Sequence, residues 1–278
     1  MPITKFRKLL LVLCATTSLN SWGLDIKITR ADRDTVTAAA YEPTGTCLGV
    51  VVASHNSSGS EQSLGVLALN LKAAGWLTVV PGHKESGLVR GKGYQQTALA
   101  EGTGNVLKDY IAFQARDMDI HAALDWSAPR CAGKVHVLLG HGMGAATAFM
   151  EAGAKNKAGV QARDAFDAYI AISPQGSGDW FPVGAWQDIK KPVLSITGTK
   201  DRSAEGRWTN RVEPFQYMHQ ACAWQLVVAY GTQSSLVGGD TSGHSTPVAK
   251  TIAAFLSELT QGTCQPPELA FGADLTHK

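Results

Sequence analysis

Short runs dense in Val, Leu and Ile alternate along this chain with longer stretches whose apolar residues recur every three or four positions. The short runs predict strands at Leu24–Ile28, Val36–Tyr41, Leu48–Ser54, Leu77–Val80, Lys134–Leu139, Ala168–Ile172, Val193–Thr197 and Gln225–Ala229. Several are nearly continuous in apolar residues, the pattern of strands covered on both faces, which points to a parallel sheet. Between them, Ser63–Ala74 carries Leu64, Leu67, Leu71 and Ala74 at helical spacing, and Asn105–Trp126 carries Leu107, Ile111, Ile120 and Leu124. Gly144–Ala154 and Val248–Leu259 complete the helical set. Strand–helix alternation of this kind predicts one open α/β sheet with helices on both faces. The segments His83–Gly104 and Gln175–Ala185 read as loops at the carboxyl ends of strands, where such sheets bind ligands.

One strand ends in chemistry. Lys134–Leu139 runs into Gly140-His141-Gly142-Met143-Gly144 and then into a helix that opens with Ala145 and Ala146. Small residues flanking a sharp strand-to-helix turn are the signature of a nucleophile elbow, G-x-S-x-G, which lifts its central side chain above the sheet. Here the centre is Gly142. A dinucleotide loop is the competing reading of a Gly-rich turn. It requires G-x-G-x-x-G and a later acidic residue, and the following strand ends Ile172-Ser173-Pro174 without one.

Composition narrows the picture further. Of 278 residues, 44% are hydrophobic and 17% charged, enough apolar material for one large core. A net charge of +2 with no basic stripe leaves no footprint for nucleic acid. Lys5, Arg7 and Lys8, the apolar run Leu9–Thr17 and the small residues of Ser21-Trp22-Gly23 read as a secretory signal over residues 1–23. The apolar run is too short to span a bilayer, and Leu13 before Cys14 departs from a lipoprotein signal. The expectation is a secreted or periplasmic protein that is not transmembrane once the signal is removed. A single domain is expected over residues 24–264, with 265–278 as a flexible tail. Four cysteines then remain, Cys47, Cys131, Cys222 and Cys264. An even count in an exported chain suggests disulfides, in any of three pairings, against four buried thiols.

From about Val36 to Leu259 the chain resembles the dienelactone-hydrolase-like and polyester-hydrolase-like branch of the α/β-hydrolases. The likeness rests on the elbow and on five further pieces. Ser54-His55-Asn56-Ser57-Ser58-Gly59 resembles the oxyanion loop, and Ala115-Arg116-Asp117 through Leu124-Asp125 the helix before the elbow strand. Ile172-Ser173-Pro174-Gln175-Gly176, Thr197-Gly198-Thr199-Lys200-Asp201 and Arg211 to Phe215 resemble the turn after the sixth strand, the acid turn after the seventh and the approach to the last strand. The resemblance implies an α/β-hydrolase fold with a mostly parallel eight-stranded sheet. Its strand order implies the pairings Cys47–Cys131 and Cys222–Cys264.

The same resemblance implies a Ser…Asp…His order of catalytic residues. Asp201 matches the acid. Gly142 replaces the serine, and Ser234, in Gly231-Thr232-Gln233-Ser234, stands where the histidine belongs. Acyl transfer on this fold needs an attacking oxygen, a base within reach and donors for the oxyanion. Losing the nucleophile alone costs on the order of a million-fold in turnover in a serine protease, and losing a second member adds little. The expectation is an impaired or inactive hydrolase, with an oxyanion hole formed by the Met143 N–H and an N–H of Asn56 or Ser57. That hole would bind a small ester or acyl ligand, or the cleft a protein partner, beside His141 and an apolar wall of Trp180, Phe181 and Trp186. The alternative is an active carboxylic-ester hydrolase using Asp201 and His244. Ser57 and Ser58 have no base placed for them. His136 reads as a sheet residue. His55 and His83 lack partners at metal-ligand spacing, so no metal and no cofactor are assigned.

Overall fold

In the computed structural model, which describes residues 23–84, 106–202, 207–267 and 272–278, all eight expected strands form one sheet. They are β1 (Leu24–Thr29), β2 (Thr35–Tyr41), β3 (Gly49–Ser54), β4 (Trp76–Pro81), β5 (Val135–His141), β6 (Ala168–Ile172), β7 (Val193–Gly198) and β8 (Ala223–Val228). A ninth strand, β9 (Ala273–His277), lies at the edge, and the order is β1-β2-β4-β3-β5-β6-β7-β8-β9. From β4 through β8 every pairing is parallel, while β1–β2, β2–β4 and β8–β9 are antiparallel. Strands β3, β4, β6 and β7 are buried along their whole length, in keeping with their mostly apolar runs.

The helices α1 (Gly65–Ala73), α2 (Val106–Ser127), α3 (Met143–Glu151), α4 (Glu213–Tyr217) and α5 (Ser245–Gln261) cover the two faces. Alternation along each strand divides the core. Val50 and Val52 of β3 face a cluster with Phe113 and Ile120 of α2, Ala145 and Phe149 of α3, and Phe215 of α4. Val51 and Ala53 face the other cluster, with Leu67 and Leu71 of α1 and Ile252 and Phe255 of α5. Two disulfides, Cys47–Cys131 and Cys222–Cys264, join the elements that the resemblance implied. The first ties the entrance of β3 to the segment before β5, and the second ties the entrance of β8 to the end of α5.

One expectation needs correction. The stretch 265–278 was expected to be a flexible tail, yet its end forms β9, in register from Ala273 opposite Val228 to His277 opposite Trp224. Lys278 then anchors the terminus, its ammonium donating to the carbonyls of Phe215 (2.8 Å) and Met218 (2.9 Å). The polar sequence Ala-Asp-Leu-Thr-His carries little strand signal by itself, and pairing with β8 supplies the missing order. The expected signal peptide over residues 1–23 lies, except for Gly23, outside the described residues, and so does most of the loop after His83, in 85–105. Among the described residues no helix is long and apolar enough to cross a membrane.

Candidate functional site

The carboxyl ends of β3, β5, β7 and β8 bring the sequence-predicted residues to one side of the sheet. At the tip of β5 the backbone turns sharply into α3, with Gly142 at φ 58° and ψ −113°. The flanking glycines are obligatory. A Cβ at Gly140 would lie 2.0 Å from the Gly144 carbonyl oxygen, and a Cβ at Gly144 would lie 1.9 Å from that of Ser54. The elbow is therefore intact in its backbone, and no side-chain atom projects from its centre.

The space above Gly142 is occupied by neighbours. A Cβ there would lie 2.4 Å from Asn56 Oδ1 and 2.9 Å from Gln233 Nε2. Asn56 Oδ1 accepts the Met143 N–H at 3.0 Å. This changes the expected oxyanion hole. Its elbow donor is capped by a carboxamide of the chain itself, because an amide oxygen two residues beyond β3 reaches the first turn of α3. A cavity of about 300 Å³ opens beside this point, lined by Asn56, Ser58, Gly59, Ser63, His141, Gln233, Ser234, Val237 and Gly239. None of these side chains carries a fixed charge. Buried His141 donates from Nε2 to the Gln233 carbonyl, 3.1 Å away. Burial, partly offset by that hydrogen bond, pushes its pKa down to about 4, so the ring is neutral.

Ser234 lines the cavity, and Gly142 lies behind two of its lining side chains, Asn56 and Gln233, while other candidates lie elsewhere. Ser234 is exposed, its hydroxyl 3.4 Å from that of Thr232. Asp201 is fully buried, its Oδ2 accepting from Thr197 Oγ1 (3.0 Å) and its Oδ1 lying 2.9 Å from Arg211 Nε. Burial raises the Asp201 pKa, while Arg211 and the hydroxyls of Ser173 and Thr197 pull it back. Arg211 also donates to the carbonyls of Ser173 (2.5 Å), Pro174 (3.1 Å) and Arg202 (3.0 Å). It thereby latches together the turns after β6 and β7, with Asp201 as its counter-ion. His244 bonds through Nδ1 to Ser242 Oγ (2.8 Å) and Ser235 Oγ (3.0 Å) and lines a different cavity, with Tyr230, Pro247 and Lys250. Ser57 does not line the cavity at Gly142, and Ser58 does.

The aromatic wall is also placed differently from expectation. Phe181 and Trp186 are fully buried and Trp180 packs edge-on against Phe113, at 5.1 Å between ring centroids. All three belong to the core on the α2–α3 face. Trp180 therefore pins the loop after β6 to α2 and is absent from the cavity lining.

Sequence reasoning missed a buried chain of side chains beneath the elbow. Ser54, His83 and Asp119 each have no exposed surface. Ser54 Oγ lies 2.9 Å from His83 Nε2, and His83 Nδ1 lies 2.9 Å from Asp119 Oδ2. Arg116 donates to Ser54 Oγ (3.2 Å) and to the His55 carbonyl (2.6 Å). The hydroxyl proton accordingly points at His83 Nε2, and Nδ1–H at the carboxylate. Burial raises the Asp119 pKa to about 7, against the opposing pull of Arg30 and Arg116. The i, i+3 spacing of Arg116 and Asp119 on α2 was the available signal. Their partners lie 62 and 36 residues away, where no local pattern reaches.

No protein-family model matches the sequence, and neither does any curated protein. Solved structures do resemble it in shape. An alpha-beta serine hydrolase homologue from Coxiella burnetii is similar at TM-score 0.56 and 15% identity, over 85% of this chain and 96% of that one. The esterase domain of a Rhodothermus marinus protein is similar at TM-score 0.55 and 12% identity, over 84% and 96%. Dienelactone hydrolase from Anabaena variabilis is similar at TM-score 0.58 and 14% identity, over 84% and 97%. Together with the strand order and the elbow, these likenesses show that the chain has the α/β-hydrolase fold.

Proposed function

We propose that this is an exported α/β-hydrolase-fold protein that has given up acyl transfer at its elbow and uses the cavity beside the elbow, lined by Asn56, His141 and Gln233, to bind a small ester- or acyl-type ligand. The observation that carries this reading is the Asn56–Met143 hydrogen bond over a glycine. There is no oxygen to attack with, and the elbow's amide donor is already engaged. Ser234 supplies no base near neutral pH. A ligand carbonyl entering the cavity would take the place of the Asn56 oxygen on Met143 N–H, exchanging one neutral hydrogen bond for another. A lining of amides, hydroxyls and a neutral imidazole suits an uncharged polar group. Export is supported by the two disulfides, which persist in oxidising compartments.

The test is paired. Aryl-ester turnover by the mature protein should not exceed that of an unfolded blank, while short acyl amides and esters should perturb the amide resonance of Met143. Turnover several orders of magnitude above the blank would end this reading.

One observation favours a second reading. Ser54, His83 and Asp119 are linked as a hydroxyl, an imidazole and a carboxylate are linked in a serine hydrolase. Their complete burial and the Arg116 donor on Ser54 Oγ support a structural role for them. A fluorophosphonate adduct mapped to Ser54 in native protein would reverse that preference.

A further inference from the structure

On the α2–α3 face, at the far end of α3 from the elbow, three acceptor atoms converge. Asp117 and His121 are one helical turn apart on α2, and Glu151 is the last residue of α3. One ligand-type atom from each lies within 4.8 Å of the other two. Asp117 and Glu151 are almost completely buried, at 4% and 1% exposure. His121 Nδ1 donates to the Asp117 main-chain carbonyl at 2.7 Å. That bond fixes the tautomer and leaves a lone pair on Nε2, the arrangement by which a protein orients a metal-binding imidazole. Nε2 is buried and has no hydrogen-bond partner, 3.5 Å from Glu151 Oε1. Asp117 Oδ1 is also buried without a hydrogen-bond partner, 3.5 Å from His121 Nδ1.

With Nδ1–H engaged, the Nε2 lone pair faces a Glu151 oxygen, a repulsion that either a proton or a metal ion would relieve. Burial disfavours the protonated ring, and the Glu151 and Asp117 carboxylates favour it and raise its pKa overall, so a metal ion must compete with that proton. We propose that Asp117, His121 and Glu151 form a binding site for a divalent first-row transition ion of the zinc type. One imidazole nitrogen with two carboxylates is a donor set such ions accept. Ligands at zinc bond lengths in a tetrahedron sit about 3.3–3.6 Å apart, so the separation already present between Nε2 and Glu151 Oε1 needs almost no adjustment.

The surrounding groups are organised for it. Arg163 Nη2 holds the other oxygen of Asp117 at 2.5 Å. The backbone N–H groups of Arg163 and Ala165 donate to the Glu151 carboxylate at 3.1–3.4 Å. The site thus joins α2, α3 and the segment leading into β6. About nine residues of helix, or about 13 Å, separate Glu151 from Gly142, so the ion braces the α2–α3 face and takes no part in the cavity.

The experiment uses the full mature protein, stripped with a chelator and titrated with Zn²⁺ by calorimetry and thermal unfolding, and with Co²⁺ by visible absorption. One equivalent should bind and raise Tm, Co²⁺ should give the bands of a low-symmetry N/O site, and His121→Gln should weaken affinity about 100-fold or more. His136→Gln and His219→Gln should leave the affinity unchanged. Should His121→Gln fail to fold, Glu151→Gln with Co²⁺ absorption reads the same site. The proposal is overturned if no ion shifts Tm, if either ligand variant binds as tightly as the parent, or if Nε2 of His121 stays protonated at neutral pH with excess Zn²⁺ present.

Discussion

Asn56 Oδ1 accepts the main-chain N–H of Met143 at 3.0 Å, so the amide that an elbow normally turns toward substrate is satisfied from within. Asn56→Ala should therefore expose that donor. Loss of one hydrogen bond predicts about 1 kcal/mol of destabilisation in urea unfolding. A carbonyl ligand should bind several-fold more tightly to the variant, as read by titration calorimetry. Unchanged or weaker binding would mean that the ligand does not use Met143.

Rebuilding the hydrolase should require that amide to leave. Gly142→Ser with Ser234→His restores the nucleophile and the imidazole, but the new Cβ meets Asn56 Oδ1 and Gln233 Nε2, both ends of flexible side chains. Adding Asn56→Gly to this pair should speed covalent labelling by a fluorophosphonate at least tenfold, read by intact mass. A serine at φ 58° should cost about 1–3 kcal/mol of stability. Absence of label in both variants would show that positions 142 and 234 do not correspond to nucleophile and base.

Asp119→Ala should be among the most damaging single changes. It strips His83 Nδ1 of its acceptor and removes the carboxylate 3.6 Å from Arg30 Nη1. Breaking a buried, hydrogen-bonded ionic set by removing one partner costs about 3–5 kcal/mol. Chemical unfolding measures this directly, and a cost below 1 kcal/mol would contradict a structural role for the network.

His141 sets an acid limit on stability. Its folded pKa lies near 4, below the 6.5 of the free side chain, so between those values the unfolded chain binds more protons. Its contribution is complete above about pH 6.5 and is lost as pH falls toward 4. The shift corresponds to on the order of 3 kcal/mol. His141→Gln keeps a donor for the Gln233 carbonyl and should flatten the difference in stability across that window. A parallel pH dependence in parent and variant would refute the assignment.

Each disulfide should contribute about 4 kcal/mol, since their loops span 84 and 42 residues. Replacing either pair by serines should lower the urea midpoint without changing far-UV circular dichroism at low denaturant.

What the sequence disclosed and what it hid follow from range. The strands β3 to β8 were legible because burial on both faces leaves short runs dense in Val, Leu and Ile. The elbow was legible because Gly140 and Gly144 permit backbone contacts that no side chain survives. Asn56 capping Met143 depends on a rotamer reaching across 87 residues of chain, and no local pattern encodes it. The three aromatics after β6 look alike whether they line a cavity or fill a core, and only packing against Phe113 and Phe149 decides. Asp117 and His121 did carry a local signal, a carboxylate and an imidazole one turn apart, but their third partner comes from a different helix.

The short strand after Gly272 has a consequence for how copies of this chain can meet. Without it, β8 would present a long row of unpaired amides and carbonyls, a template onto which another chain could hydrogen-bond. Five residues with Asp274, Thr276 and His277 exposed form a brief, polar border in its place. Sheet-to-sheet continuation through this margin is thereby discouraged.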